Sequence, residues 1–123
     1  MNRVLLLLTE SITSPLAWHG LALAKTLIQQ NIPVDVFFYQ NAVDIANRLN
    51  WRPSDEPNLT QAWQALPIER RVCVSAALVR GVTDQDNSER HDLSGENIAD
   101  GFQLVGLGEL ADLTLQATRV VHL

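Results

Sequence analysis

Arg3-Val4-Leu5-Leu6-Leu7-Leu8 is a short unbroken apolar run, the texture of a strand buried on both faces as in parallel sheets. The segment behind it, Thr9-Glu10-Ser11-Ile12-Thr13-Ser14-Pro15, reads as a loop that ends in a helix start. Ser14 is suited to cap the helix and Pro15 to occupy its first position. Ala17, Leu21, Ala24 and Ile28 then recur at helical spacing until Asn31 and Pro33 break the pattern. Val34-Asp35-Val36-Phe37-Phe38-Tyr39 is β-branched and aromatic, a second strand. Strand, helix, strand is a βαβ unit, and its crossover is expected to be right-handed.

The same alternation continues outward from that unit. Ala42, Ile45, Ala46 and Leu49 form a stripe that predicts a short helix, followed by the proline-containing loop 51–57. Asn58 and Gln61 resemble a capping box ahead of Leu59, Ala62, Trp63 and Leu66, and Pro67 stops that helix. Arg71-Val72-Cys73-Val74 reads as a third strand ending near Ser75, and 76–82 as a helical turn. Residues 83–95, with four acidic residues against Arg90 alone, read as a long polar loop. Phe102 to Val105 is a fourth strand. Gly106 and Gly108 precede a helix carrying Leu110, Leu113 and Ala117, and Val120 to Leu123 closes the chain as a fifth strand. Five strands alternating with helices predict one α/β domain over residues 1–123: a doubly wound, mainly parallel five-stranded sheet with helices on both faces, flavodoxin-like in its broad class.

Composition narrows what such a domain does. The 123 residues are 46% apolar and 19% charged, suited to a globular core. Nine Lys and Arg against fourteen Asp and Glu give a net charge of −5, which argues against direct nucleic-acid binding. A single cysteine, Cys73, excludes an internal disulfide and a cysteine-rich zinc site, and His19, His91 and His122 show no metal spacing. The five-residue run at 4–8 is too short for a signal core or a membrane span, so a cytoplasmic protein without membrane contact is expected.

In open parallel sheets the working groups lie beyond the carboxyl ends of the strands, here the loops 9–14, 40–41, 75–82 and 106–108. Cys73 ends the third strand. As a nucleophile it would react as the thiolate, with Arg70, Arg71 and Arg80 close in sequence. A buried strand cysteine acting as a small hydrophobe fits the same position. A Cys–His pair with His19 or His91 has no feature to single out either histidine. The first loop has no glycine, so neither a P-loop nor a dinucleotide fingerprint is present. The hydroxyls of Ser11, Thr13 and Ser14, or Gly106-Leu107-Gly108 at a helix start, are weak anion-binding candidates. Trp18, Trp51 and Trp63 fit packing better than base stacking.

Cys73-Val74-Ser75-Ala76-Ala77-Leu78-Val79-Arg80-Gly81-Val82 resembles the cysteine segment of the DsrE-like sulfur-transfer family. Further matches run in order: Phe37-Phe38-Tyr39-Gln40 with Asn41-Ala42-Val43, then Ala62-Trp63, Asn97-Ile98 with Gly101-Phe102, Gly106-Leu107-Gly108-Glu109-Leu110-Ala111, and Arg119-Val120-Val121. The loop 9–15 and the acidic stretch 83–95 depart from the family's pattern. The resemblance implies the DsrE-like fold and a sulfurtransferase in which Cys73 is the catalytic residue. It would accept sulfane sulfur as a persulfide and pass it to another protein, without metal or organic cofactor. Within the bacterial sulfur relay it implies a hetero-oligomer with TusB-like and TusC-like subunits, a TusA-like donor and a TusE-like acceptor, ending in 2-thiolation of the tRNA wobble uridine. Relatives use the same fold in dissimilatory sulfur oxidation, and others lack the cysteine and only build the assembly. Arg80 and the backbone after Cys73 are expected to stabilise the thiolate.

Overall fold

A computed structural model describes residues 2–123. In chain order it contains β1 (Val4–Leu8), α1 (Pro15–Gln29), β2 (Val34–Phe38), a 3₁₀ segment (Gln40–Ala46), α2 (Leu59–Gln64), β3 (Arg70–Cys73), α3 (Val74–Val79), α4 (Gln85–Arg90), β4 (Phe102–Val105), α5 (Leu107–Gln116) and β5 (Arg119–His122). The strands make one five-stranded sheet in the order β4-β3-β2-β1-β5, every pair parallel. The expected α/β sheet is therefore present, and it is parallel throughout.

The order decides where the helices lie. The chain steps three times in one direction, from β1 to β4, and then returns across the sheet to β5. Right-handed crossovers put α1, the 3₁₀ segment and α2, and α3 with α4 on one face, and α5 alone on the other. Alternation along the strands sorts the side chains accordingly. Leu6, Leu8, Val36, Phe38, Val72 and Phe102 point toward the many-helix face, where Phe38 meets Trp63 edge-on at 5.2 Å and Phe102 at 5.5 Å. These rings are the centre of the core. Gly20 lets α1 approach β1, because a Cβ there would sit 2.9 Å from a Leu8 methyl. Arg70 shares this face: its guanidinium donates to the carbonyls of Trp63, Leu66 and Ile68 and so closes the end of α2. Burial lowers the pKa of Arg70 from its ordinary value.

The opposite face carries Leu5, Leu7, Asp35, Phe37, Arg71 and Cys73, covered by α5, whose one fully buried side chain is Leu113. Asp35, buried mid-strand, is held by Arg3 through two bonds of 2.7 and 2.9 Å. That hydrogen bond first, and the charge of Asp35 second, raise the pKa of Arg3.

Four expectations need correction. The helix expected over 42–49 is a 3₁₀ segment ending at Ala46, because the chain then pairs with 97–98: Asn47 bridges Ile98, and the Arg48 N–H donates to the Asn97 carbonyl at 2.8 Å. Leu49 and Trp51 are consequently exposed, Trp51 to 75%, so Trp51 is not a packing residue. Val74 belongs to α3 and not to the third strand. The stretch 83–95 contains the helix α4, capped by the Asp84 carboxylate, which accepts from the Asn87 N–H at 2.9 Å.

Candidate functional site

β3 and β4 are neighbours whose chains leave in opposite directions, β3 into α3 on one face and β4 into α5 on the other. Their carboxyl ends therefore frame the crevice where an open α/β sheet can hold a ligand. Cys73 and Val105 are register partners at that point. Cys73 is at once the last residue of β3 and the residue preceding α3, and Gly106 stands in the same position before α5. The chain turns at Cys73 because Val74 to Val79 takes up the helix at once, with Ala76 and Ala77 packed into the core.

A cavity of about 290 Å³ opens beside Cys73, walled by Tyr39 and Gln40 from the end of β2, Ser75, Val79 and Arg80 from α3 and its C-terminus, and Leu107 from α5. The thiol is free, yet the residue is only 1% exposed. Val79 on the rim is 82% exposed, and Leu107 is also exposed. Arg80 brings a positive charge: it donates to Asn41 Oδ1 and to the Ala76 carbonyl, both at 3.3 Å. Both partners are neutral, and among the described residues no carboxylate makes an ion pair with it. The cavity thus joins a nucleophile type to an unneutralised cation and an apolar rim.

The other arginines expected near the cysteine go elsewhere. Arg70 is on the opposite face, and Arg71, on the cysteine's face, is held by Glu69, by Asp35 at 3.5 Å and by Glu109 of α5 at 3.1 Å. No histidine lines the cavity: His19 is exposed on α1, His91 follows α4, and His122 bonds Thr9 Oγ1 at 3.1 Å. The Cys–His pair is therefore not formed.

The first loop is spent internally. Ser11 Oγ donates to the Asp44 carboxylate, the Ile12 N–H donates to the same group at 2.8 Å, and Ser14 caps α1. A carboxylate thus occupies the place an anion would need, which opposes the phosphate-loop reading. No three His, Cys, Asp or Glu side chains among the described residues are grouped to hold a metal. No helix among them is long and apolar enough to cross a membrane.

Gln40, Val79 and Leu107 lie in the loops 40–41, 75–82 and 106–108 where the sequence places working groups, whereas Tyr39, at the end of the second strand, is a cavity residue that sequence reasoning passed over. Phe37-Phe38-Tyr39-Gln40 and Gly106-Leu107-Gly108 stood out in the sequence, but only the strand order shows that they converge on one cysteine. Another cavity, about 380 Å³ between Leu49, Leu78, Leu93 and Asn97, has the hydroxyls of Thr83 and Ser94 and the Glu96 carboxylate in its wall but neither cysteine nor histidine.

Comparison with known proteins relates the chain to one family. A sequence model of the DsrE/DsrF-like family matches residues 2–123. The chain is 47% identical over 93 residues to proteins named sulfurtransferase TusD from Yersinia pestis (strain Pestoides F) and from Yersinia pseudotuberculosis serotype O:1b. Each match spans 72% of this chain and 71% of the relative. Among solved structures, the ychN protein from E. coli superposes with a TM-score of 0.80 over the whole of both chains at 23% identity, a likeness of fold.

Proposed function

The chain belongs to the DsrE/DsrF-like family, and from that membership we propose that it is a sulfurtransferase subunit that carries sulfane sulfur as a persulfide on Cys73. The observation that carries this reading is the position of the lone cysteine: at the crevice between β3 and β4, beside a cavity that also holds the unneutralised Arg80.

The chemistry needs little more than that. The Cys73 thiolate attacks the outer sulfur of a donor persulfide; a new S–S bond forms on Cys73, the donor's S–S bond breaks, and the donor cysteine leaves as its thiolate. In the second step an acceptor thiolate attacks the outer sulfur on Cys73, and Cys73 leaves as the thiolate with which it began. No electrons are gained or lost overall. Cys73 is a thiolate when it attacks in the first step and when it leaves in the second, so a cation at the cavity edge favours the charged forms. With no second cysteine in the chain, no internal disulfide discharges the persulfide and the acceptor must be another molecule.

The names of the relatives support a place in the relay that thiolates the tRNA wobble uridine. In that setting the protein works in the cytoplasm as a hetero-oligomer with TusB-like and TusC-like subunits. It takes sulfur from a TusA-like donor and gives it to a TusE-like acceptor, and the −5 charge suits a carrier that leaves tRNA to later partners. Mass spectrometry after incubation with a persulfide donor tests the proposal. The expected result is one added sulfur atom localised to Cys73 and none on Cys73→Ser; loading of the Ser variant, or none on the native chain, refutes it.

A further inference from the structure

We propose that the first turn of α5 is a gate over Cys73, held shut by the Arg71–Glu109 ion pair, so that Arg71 and Glu109 are positioning residues for sulfur transfer. The proposal rests on the reading of Cys73 as the sulfur carrier. That chemistry needs an incoming sulfur in bonding contact with the Cys73 sulfur, about 2 Å when the S–S bond forms. At 1% exposure no second protein reaches it, so a covering element has to move.

Of the walls, α5 is the one built to move. Ala76 belongs to α3, whose buried Ala76 and Ala77 are tied into the core, and Tyr39 directly follows β2 in the centre of the sheet. Leu107 opens α5 exposed, and the helix has one fully buried side chain, Leu113 six residues further on, with Leu110 partly buried against the core. Near the cavity, the charged attachment of α5 is Glu109, whose Oε1 forms an ion pair with Arg71 Nε at 3.1 Å. Arg71 lies two residues before Cys73 on the same face of β3, so the pair fixes the α5 turn directly against the cysteine's strand.

The arrangement is also suited to release. Arg71, with its side chain 14% exposed, has three carboxylate partners: Glu69, Asp35 and Glu109. Asp35 is itself anchored by Arg3. When Glu109 departs, Arg71 keeps two partners and no buried cation is stranded, while the half-exposed Glu109 passes into water. A pair of this exposure is weak and sensitive to salt.

The test is the rate at which N-ethylmaleimide modifies the intact protein, which reports on Cys73 alone because the chain has no other cysteine. Glu109→Gln should react about two- to fivefold faster than the native chain, the range expected for loss of such a pair. Raising salt to about 1 M should speed the native protein similarly and leave Glu109→Gln nearly unchanged. Gly108→Ala should slow the reaction, since a Cβ there meets nothing and alanine strengthens the helix start. Rates are compared only where thermal melts agree, which separates gate opening from general loosening. A native rate in Glu109→Gln, or a full salt effect persisting in it, overturns the gate. If these rates behave as expected while no form takes up sulfur from a persulfide donor, the carrier reading fails and the gate stands.

Discussion

The Cys73 thiol packs against the core as a small, weakly polar group, so the two usual replacements are not equivalent. Alanine removes one atom and leaves a small void, at a cost of about 1 kcal/mol. Serine puts a hydroxyl into the same nearly closed place. Unless it finds a partner there, the group loses its water at about 1–3 kcal/mol. Urea unfolding should therefore rank native above Cys73→Ala above Cys73→Ser, with equal slopes; a Ser variant as stable as the native chain would mean the site is wetter than its burial implies. Cys73→Ala is then the better control for sulfur loading. The residue itself was legible, since a lone cysteine ending a strand is visible in any alternating pattern. Its arginine neighbours were not. Arg70, Arg71 and Arg80 are equally close in sequence, yet the pleat sends Arg70 to the far face and α3 carries Arg80 to the cavity.

Among the elements, α1 was legible because both local signals and the apolar stripe agree: Ser14 caps it, Pro15 starts it, and Ala17, Leu21 and Ala24 are buried. In α4 they disagree. Residues 85–90 contain no apolar side chain, so periodicity says nothing there. The helix exists through polar bonds: Asp84 accepts from the Asn87 N–H and side chain, and Ser88 Oγ donates to the carbonyls of Leu93 and Gly95, folding the following loop back. The spacing of Asp84 and Asn87 was the available signal, masked by a charge run that reads as solvated loop. A helix held this way should open locally. Asp84→Ala is expected to cost about 1 kcal/mol in α4. Hydrogen exchange should rise at the amides of 85–91 before it rises in the β-sheet; equal acceleration everywhere would show that α4 is part of one cooperative unit with the core.

For the whole molecule, alternation foretold a parallel sheet, but the strand order had to come from three-dimensional packing. The unbroken apolar run of β1 suits a central strand, but no local feature of β5 tells it to pair with β1 and not with β4. That order is what makes Cys73 a candidate site: only with β3 and β4 as neighbours of opposite onward direction does the crevice open beside it. It also places Val79, the last residue of α3, on the rim at 82% exposure, where the fold gains nothing from an apolar side chain. Direct transfer of sulfur from Cys73 to another protein requires that protein to cover this rim, and a desolvated valine at the centre of such a contact would contribute to the docking. Val79→Asp should leave unfolding free energy within about 0.5 kcal/mol of native, as for most surface substitutions. Loading of Cys73 from a small persulfide donor should fall less than transfer to a protein, because Val79 is one wall of the cavity among several but stands out on the rim that a protein would cover. Transfer onward to a TusE-like acceptor, followed by labelled sulfur in rapid-mixing assays, should slow about tenfold, the effect of a buried charge in a contact of this kind. Equal loss with the small donor and the protein acceptor would mean that Val79 shapes the cavity itself, and no loss in either would place the docking surface on another side of Cys73.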